Sequence, residues 1–236
     1  MADLCILVQC KWVECSIQTH NLQLINHYPN TMYSKIKGSL VLICLCIVSS
    51  CQISINKDHV AEGTKLISQG DYLNAEQEFD DALFIDNNNL DALRGSNYCL
   101  LNMGNNDKAL KRANKFIELR PDSSVGYNDR GTILLVTRNY EKALADFNKV
   151  IELGTDYPAV AYFNKAEALR ELSRFDEAII AYNIVITTDK RDARAHFKKG
   201  MTFEKMGKID SACASYKVAA GLGDQEATKQ MTMVCK

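Results

Sequence analysis

Five alanines, Ala75, Ala109, Ala143, Ala178 and Ala212, follow one another at separations of 34, 34, 35 and 34 residues. A period of this length and regularity constrains the fold more than any single motif in the chain. The residues around each alanine repeat with it. Four positions later stand Phe79, Ala113, Phe147, Tyr182 and Tyr216, and seven later stand Ala82, Phe116, Val150, Val185 and Ala219. Twelve positions earlier stand Gly63, Asn97, Gly131, Ala166 and Gly200. Small residues at fixed offsets from bulky ones suit two helices that cross closely, because a larger side chain at the crossing would hold them apart. In VGYNDRGTILLV, Tyr127, Gly131 and Leu134 share one helical face at i, i+4 and i+7. Asp71, Asn105 and Asn139, and two residues later in their units Asp176 and Asp210, are expected to cap the second helices. One helix pair cannot bury its apolar face alone, but a stack of pairs can. The expectation is an all-α fold: an α-solenoid of about five helix-turn-helix repeats over residues 56–226. The repeats are 56–89, 90–123, 124–157, 159–192 and 193–226, preceded by a short linker at 52–55 and followed by a capping helix at 227–236.

The pattern resembles the tetratricopeptide repeat, whose small residues lie where its two helices cross. The departures are local. The fourth position of each repeat carries His59, Leu93, Tyr127, Tyr162 or His196 rather than Trp, and the closing proline occurs once, as Pro121.

Composition agrees with a folded, helical body. Hydrophobic residues are 47% and charged residues 24%, so disorder throughout is excluded. Only 3 prolines and 12 glycines argue against a turn-rich β fold. With 28 basic and 29 acidic side chains the net charge is −1, which gives no global attraction for nucleic acid. The sequence contains no HExxH, CxxC, acidic calcium loop, GxGxxG, GxxxxGK[ST] or GxSxG. No catalytic residue, metal site, cofactor or small-molecule substrate is therefore expected, and the chain is read as not an enzyme. Cys99 and Cys213 fall inside helices, where each is expected as a small apolar residue. A Cys213–Cys235 disulfide is open in an oxidising compartment, but spacing alone does not decide it and the expectation is against it.

The first 51 residues differ from the rest. They hold three basic and two acidic side chains but six of the nine cysteines. Residues 32–51 read MYSKIKGSLVLICLCIVSSC: Lys35 and Lys37, an apolar run from Leu40 to Val48, then small residues. This is the layout of a secretory signal, with an apolar run about half the ~20 residues a membrane span needs. The ending Val48-Ser49-Ser50-Cys51 resembles a bacterial lipobox, in which the cysteine thiol takes a diacylglycerol thioether and becomes the new N-terminus. Cys51 is thus the expected lipidation site, Met32 the expected start, and 1–31 a non-structural extension. Gln52 resembles the residue that follows the cysteine in lipoproteins sent to the outer membrane.

The resemblance to tetratricopeptide repeats implies a polypeptide partner seated in a groove formed by the first helices. Mapped onto the repeats, the groove positions fall on Arg94, Tyr98, Leu101, Asn128, Thr132, Phe163, Arg170, Arg194, Phe197 and Met201. Tyr98, Phe163 and Phe197 are the expected anchors, since aromatics and Arg dominate binding energy. The clamp that some members use for the acidic end of chaperones is not matched: Val60 and Thr64 occupy the places of its Lys and Asn. The function expected is a non-catalytic interaction scaffold, membrane-held through a lipid anchor in a bacterial envelope and facing the periplasm. The alternative is a cytosolic or membrane-anchored co-chaperone or adaptor, or the regulatory subunit of an enzyme complex, with residues 32–55 retained.

Overall fold

The computed structural model describes residues 54–235; the expectations for 1–31, for the signal-like segment 32–51 and for Cys51 lie outside the described residues. The described residues form eleven helices and no strand. These are α1 (54–68), α2 (Tyr72–Ile85), α3 (Leu90–Asn102), α4 (Asn106–Leu119), α5 (Ser124–Val136), α6 (Tyr140–Leu153), α7 (Pro158–Glu171), α8 (Phe175–Thr188), α9 (Ala193–Lys205), α10 (Ile209–Gly221) and α11 (Gln225–Val234). Residues 54 and 55 are already helical, so the linker expected at 52–55 does not extend through them. α11 begins two residues before the expected capping helix.

The periodic residues form the spine of the molecule. Ala75, Ala109, Ala143, Ala178 and Ala212 all have zero exposure, and the residues four and seven positions on are also buried. At the crossings, a Cβ on Gly63 would come within 2.9 Å of the Phe79 ring, on Gly131 within 2.7 Å of Phe147, and on Gly200 within 2.6 Å of Tyr216. The aromatic ring therefore fills the space that the missing side chain leaves. Repeat two inverts the exchange, with Asn97 on the first helix and Ala113 on the second, both buried. Each helix packs on its neighbours in sequence, and beyond them α3 touches α5 and α5 touches α7. The first helices thus line one side of a stack in which every unit contacts only adjacent units.

Between the two helices of each repeat the chain passes through a left-handed residue: Gly70, Gly104 and Gly207 with φ of 77°, 75° and 71°, and Arg138 and Ser173 with φ of 61° and 60°. The caps follow the expectation only in part. Asp71 and Asn105 accept the amide N–H of Asn74 and Lys108. Asn139 is at the cap position but donates its side-chain amide to Thr137 instead. In repeats four and five the cap positions are Arg174 and Lys208. Asp176 and Asp210 lie inside the first turn, where a carboxylate favours the helix dipole rather than capping an amide.

Ion pairs join neighbouring elements. Lys108 on α4 reaches Glu76 at 2.8 Å and Asp80 at 2.6 Å, both on α2, and Arg130 on α5 grips Asp146 of α6 through two nitrogens at 2.8 and 2.7 Å. At the far end the expectation for the cysteines is corrected: Cys213 and Cys235 form a disulfide. Spacing could not show it, because the chain between these cysteines, 22 positions apart, folds back as α11, which lies against α10 and brings the two Cα atoms to 5.6 Å. Gln230 of α11 also donates to Glu204 on α9 at 2.9 Å, and Glu204 accepts the Tyr216 hydroxyl at 2.5 Å.

Candidate functional site

The first helices of repeats one to three enclose an open cavity of about 750 Å³. Val60 and Ile67 of α1, Leu101 of α3 and Ile133 of α5 supply apolar wall, and Phe79 reaches it from α2. Five of the residues expected in the groove meet here: Arg94, Tyr98, Leu101, Asn128 and Thr132. Tyr98 is half-exposed and rests edge-on against Tyr72, with ring centroids 5.9 Å apart. The Thr132 hydroxyl is spent on the Asn128 carbonyl at 2.9 Å, and the Asn128 side chain accepts from Asn164 of α7 at 3.3 Å.

Three further residues give this cavity its polarity. Asn97 lines it with 4% exposure, and neither its amide nitrogen nor its amide oxygen has a hydrogen-bond partner. Asp91 and Asp129 put two carboxylates in the lining beside the single guanidinium of Arg94, which stands 3.9 Å from Asp129. Burial pushes the Asp129 carboxyl up to about 6, against the opposing pull of Arg94 and the Asn128 amide. The expected groove set omitted Asn97 and Asp129. Asn97 is at the helix-crossing position, read as packing. Asp129 lies beside Asn128, one step off the positions assigned to the groove. The buried polar residue at a crossing that Gly or Ala otherwise occupies was the available signal for Asn97.

The other five expected residues lie farther along, on α7 and α9, outside this cavity. Phe163 is half-buried: its ring edge meets Tyr182 at 5.9 Å, and the Arg194 guanidinium lies 5.2 Å from its centroid. Phe197 packs on Tyr216 at 5.7 Å, and Met201 is half-buried. Arg170, one of the expected groove residues, is already paired within the protein. Its side chain is 13% exposed and is engaged by Glu171 at 2.6 Å and Glu167 at 3.3 Å. Glu167 also pairs with Lys198 at 3.1 Å and accepts the Tyr182 hydroxyl. Burial alone would raise the Glu167 carboxyl, but these donors hold it below its usual range. Among the described residues no three His, Cys, Asp or Glu side chains are grouped to hold a metal, and no helix is long and apolar enough to cross a membrane.

The sequence model of the tetratricopeptide repeat matches residues 100–158 and 163–227, more than half of the chain. The chain belongs to the tetratricopeptide repeat family. A curated relative, anaphase-promoting complex subunit 3 of Schizosaccharomyces pombe (strain 972 / ATCC 24843), is 25% identical over 170 residues, 72% of this chain. The match spans only a quarter of that relative's length. Among solved structures, PilW, described as a widely conserved type IV pilus biogenesis factor, superposes with a TM-score of 0.68 at 20% identity, covering 71% of this chain and 77% of its own. YrrB, described as a tetratricopeptide repeat protein with an unusual peptide-binding site, gives 0.61 at 19%, covering 74% and 90%. At these identities the structural likeness concerns the fold. Tetratricopeptide solenoids serve as scaffolds for protein–protein interaction, generally without catalysis.

Proposed function

We propose that this chain is a non-catalytic scaffold that seats a peptide or partner protein in the groove of its first helices, and that a lipid on Cys51 holds it in a bacterial cell envelope, facing the periplasm from the outer membrane. The observation that carries the groove reading is the cavity between α1, α3 and α5, where an apolar wall meets a half-exposed tyrosine and unspent polar groups. Such a mixture suits a polypeptide better than a nucleic acid, whose phosphates would face Asp91 and Asp129. YrrB, named for a peptide-binding site, lends the same reading to the shared fold.

Two features support the envelope. Val48-Ser49-Ser50-Cys51 supplies the thiol and the small neighbours that lipidation needs. The Cys213–Cys235 disulfide suits an oxidising compartment and counts against the cytosolic alternative. Stable residence takes more than one acyl chain, and a diacylglyceryl cysteine provides at least two. The test is the intact mass and detergent partitioning of the expressed protein beside a Cys51→Ser variant. A wild type that starts at Cys51, carries acyl mass and enters the detergent phase, with a variant that does neither, is the expected outcome. Identical behaviour of the two, with the residues before Cys51 retained in both, would sink the lipid anchor.

A further inference from the structure

The polar groups of the α1–α3–α5 cavity are arranged for a ligand of definite charge. Asn97 offers one donor and one acceptor, both shielded from water and both unpaired. A planar amide with this pair unspent matches the N–H and C=O of one extended residue, which belong to successive peptide bonds and face the same side of the strand. Leaving both groups unpaired is costly, and an extended residue in the cavity would satisfy them together through its own N–H and C=O. The charged and titratable groups lining the cavity are Asp91, Arg94 and Tyr98 of α3 and Asp129 of α5. Of the two carboxylates, Asp129 has Arg94 as its one ion-pair partner among the described residues, at a separation beyond hydrogen-bond range, and Arg94 itself is half-exposed. An anionic ligand would meet two like charges for one opposite. An ammonium or guanidinium would meet a lining in which carboxylates outnumber cations.

From these observations we infer that the groove of repeats one to three selects an extended peptide segment bearing a lysine or arginine, with its side chain against Asp129 and the backbone N–H and C=O of one residue on Asn97. The inference rests on the groove being the binding surface and adds the chemistry of what it binds. Val60, Ile67 and Leu101 would cover the aliphatic stem of the same side chain, as long cations bury their methylenes while the head stays polar.

The test uses the full-length chain and a random linear peptide display library, panned in parallel on wild type, Asp129→Asn, Asn97→Ala and Tyr98→Ala. Peptides enriched on the wild type are expected to carry Lys or Arg at one fixed position. Their affinity should fall about 10-fold or more on Asp129→Asn, because truncating one partner of a desolvated charge pair leaves the other uncompensated. Wild-type affinity should also weaken as the pH is lowered through about 6, where Asp129 takes up a proton, while Asp129→Asn loses that dependence. A purely structural Asp129 would behave differently. Because burial disfavours its charge, the folded state loses stability as the pH rises from about 4 to about 6 and none above that, so Asp129→Asn should melt no lower than wild type at neutral pH while binding worse. Enriched peptides with no basic preference, or with equal affinity for Asp129→Asn, overturn the inference but leave groove binding standing if Tyr98→Ala still loses them. Failure to enrich any peptide, or enrichment indifferent to Tyr98→Ala, overturns the groove reading and the inference together.

Discussion

Arg138 and Ser173 stand where Gly70, Gly104 and Gly207 stand in the other repeats, and all five adopt the left-handed conformation that lets one helix turn back on the next. An L side chain there meets its own carbonyl, a strain glycine avoids. Arg138 is exposed and forms no ion pair among the described residues, so little else depends on it. Arg138→Gly is expected to raise stability by about 0.5–1 kcal/mol, read as a higher denaturant midpoint with an unchanged slope. An unchanged or lower midpoint would mean that the turn carries no strain. The same scale decides what the sequence could disclose of the site. Gly131 opposite Phe147 was legible because the small and large partners recur at fixed offsets in one chain. The roles of Asn97 and Asp129 were not. Whether a buried amide finds a partner, and how far burial raises a carboxyl, depend on neighbours from α1, α2 and α5 that no local spacing encodes.

At the scale of elements, helix positions were readable because burial follows a period, whereas caps and covalent closure were not. Asp176 and Asp210 are good capping residues, but the backbone turns two residues earlier, at Arg174 and Lys208, because the ladder of Ala178 and Ala212 fixes where each second helix must begin. The Cys213–Cys235 bond depends on α11 returning along α10, a tertiary fact. Its effect belongs to this element. Closing a loop between cysteines 22 positions apart removes unfolded-state entropy worth about 3 kcal/mol on the chain-entropy account. Cys235→Ser should lower the melting temperature and speed amide exchange in Gln225–Val234 ahead of α3–α6, since solenoid contacts are local. Equal acceleration throughout would show that the cap is not a separable end unit.

Over the whole molecule, the groove changes character along its length. Around α1, α3 and α5 it is open, with carboxylates in excess and an unspent amide. Around α7 and α9 its charges are already paired, with Glu167 holding Arg170 and Lys198 and with Arg194 lying over Phe163. Of the expected groove residues in the first stretch, Arg94 and Tyr98 are half-exposed and open to a ligand, whereas Arg170 must first leave its carboxylates. The most direct test of the scaffold reading is site-specific photo-crosslinking in cells, with a photoreactive phenylalanine replacing either Leu101, in the cavity wall, or Ile180, which is exposed on the second helix of repeat four. The account predicts a discrete protein adduct from position 101, lost when Tyr98→Ala is added, and none from position 180. An adduct from position 180 alone, or one from position 101 that persists with Tyr98→Ala, would contradict it.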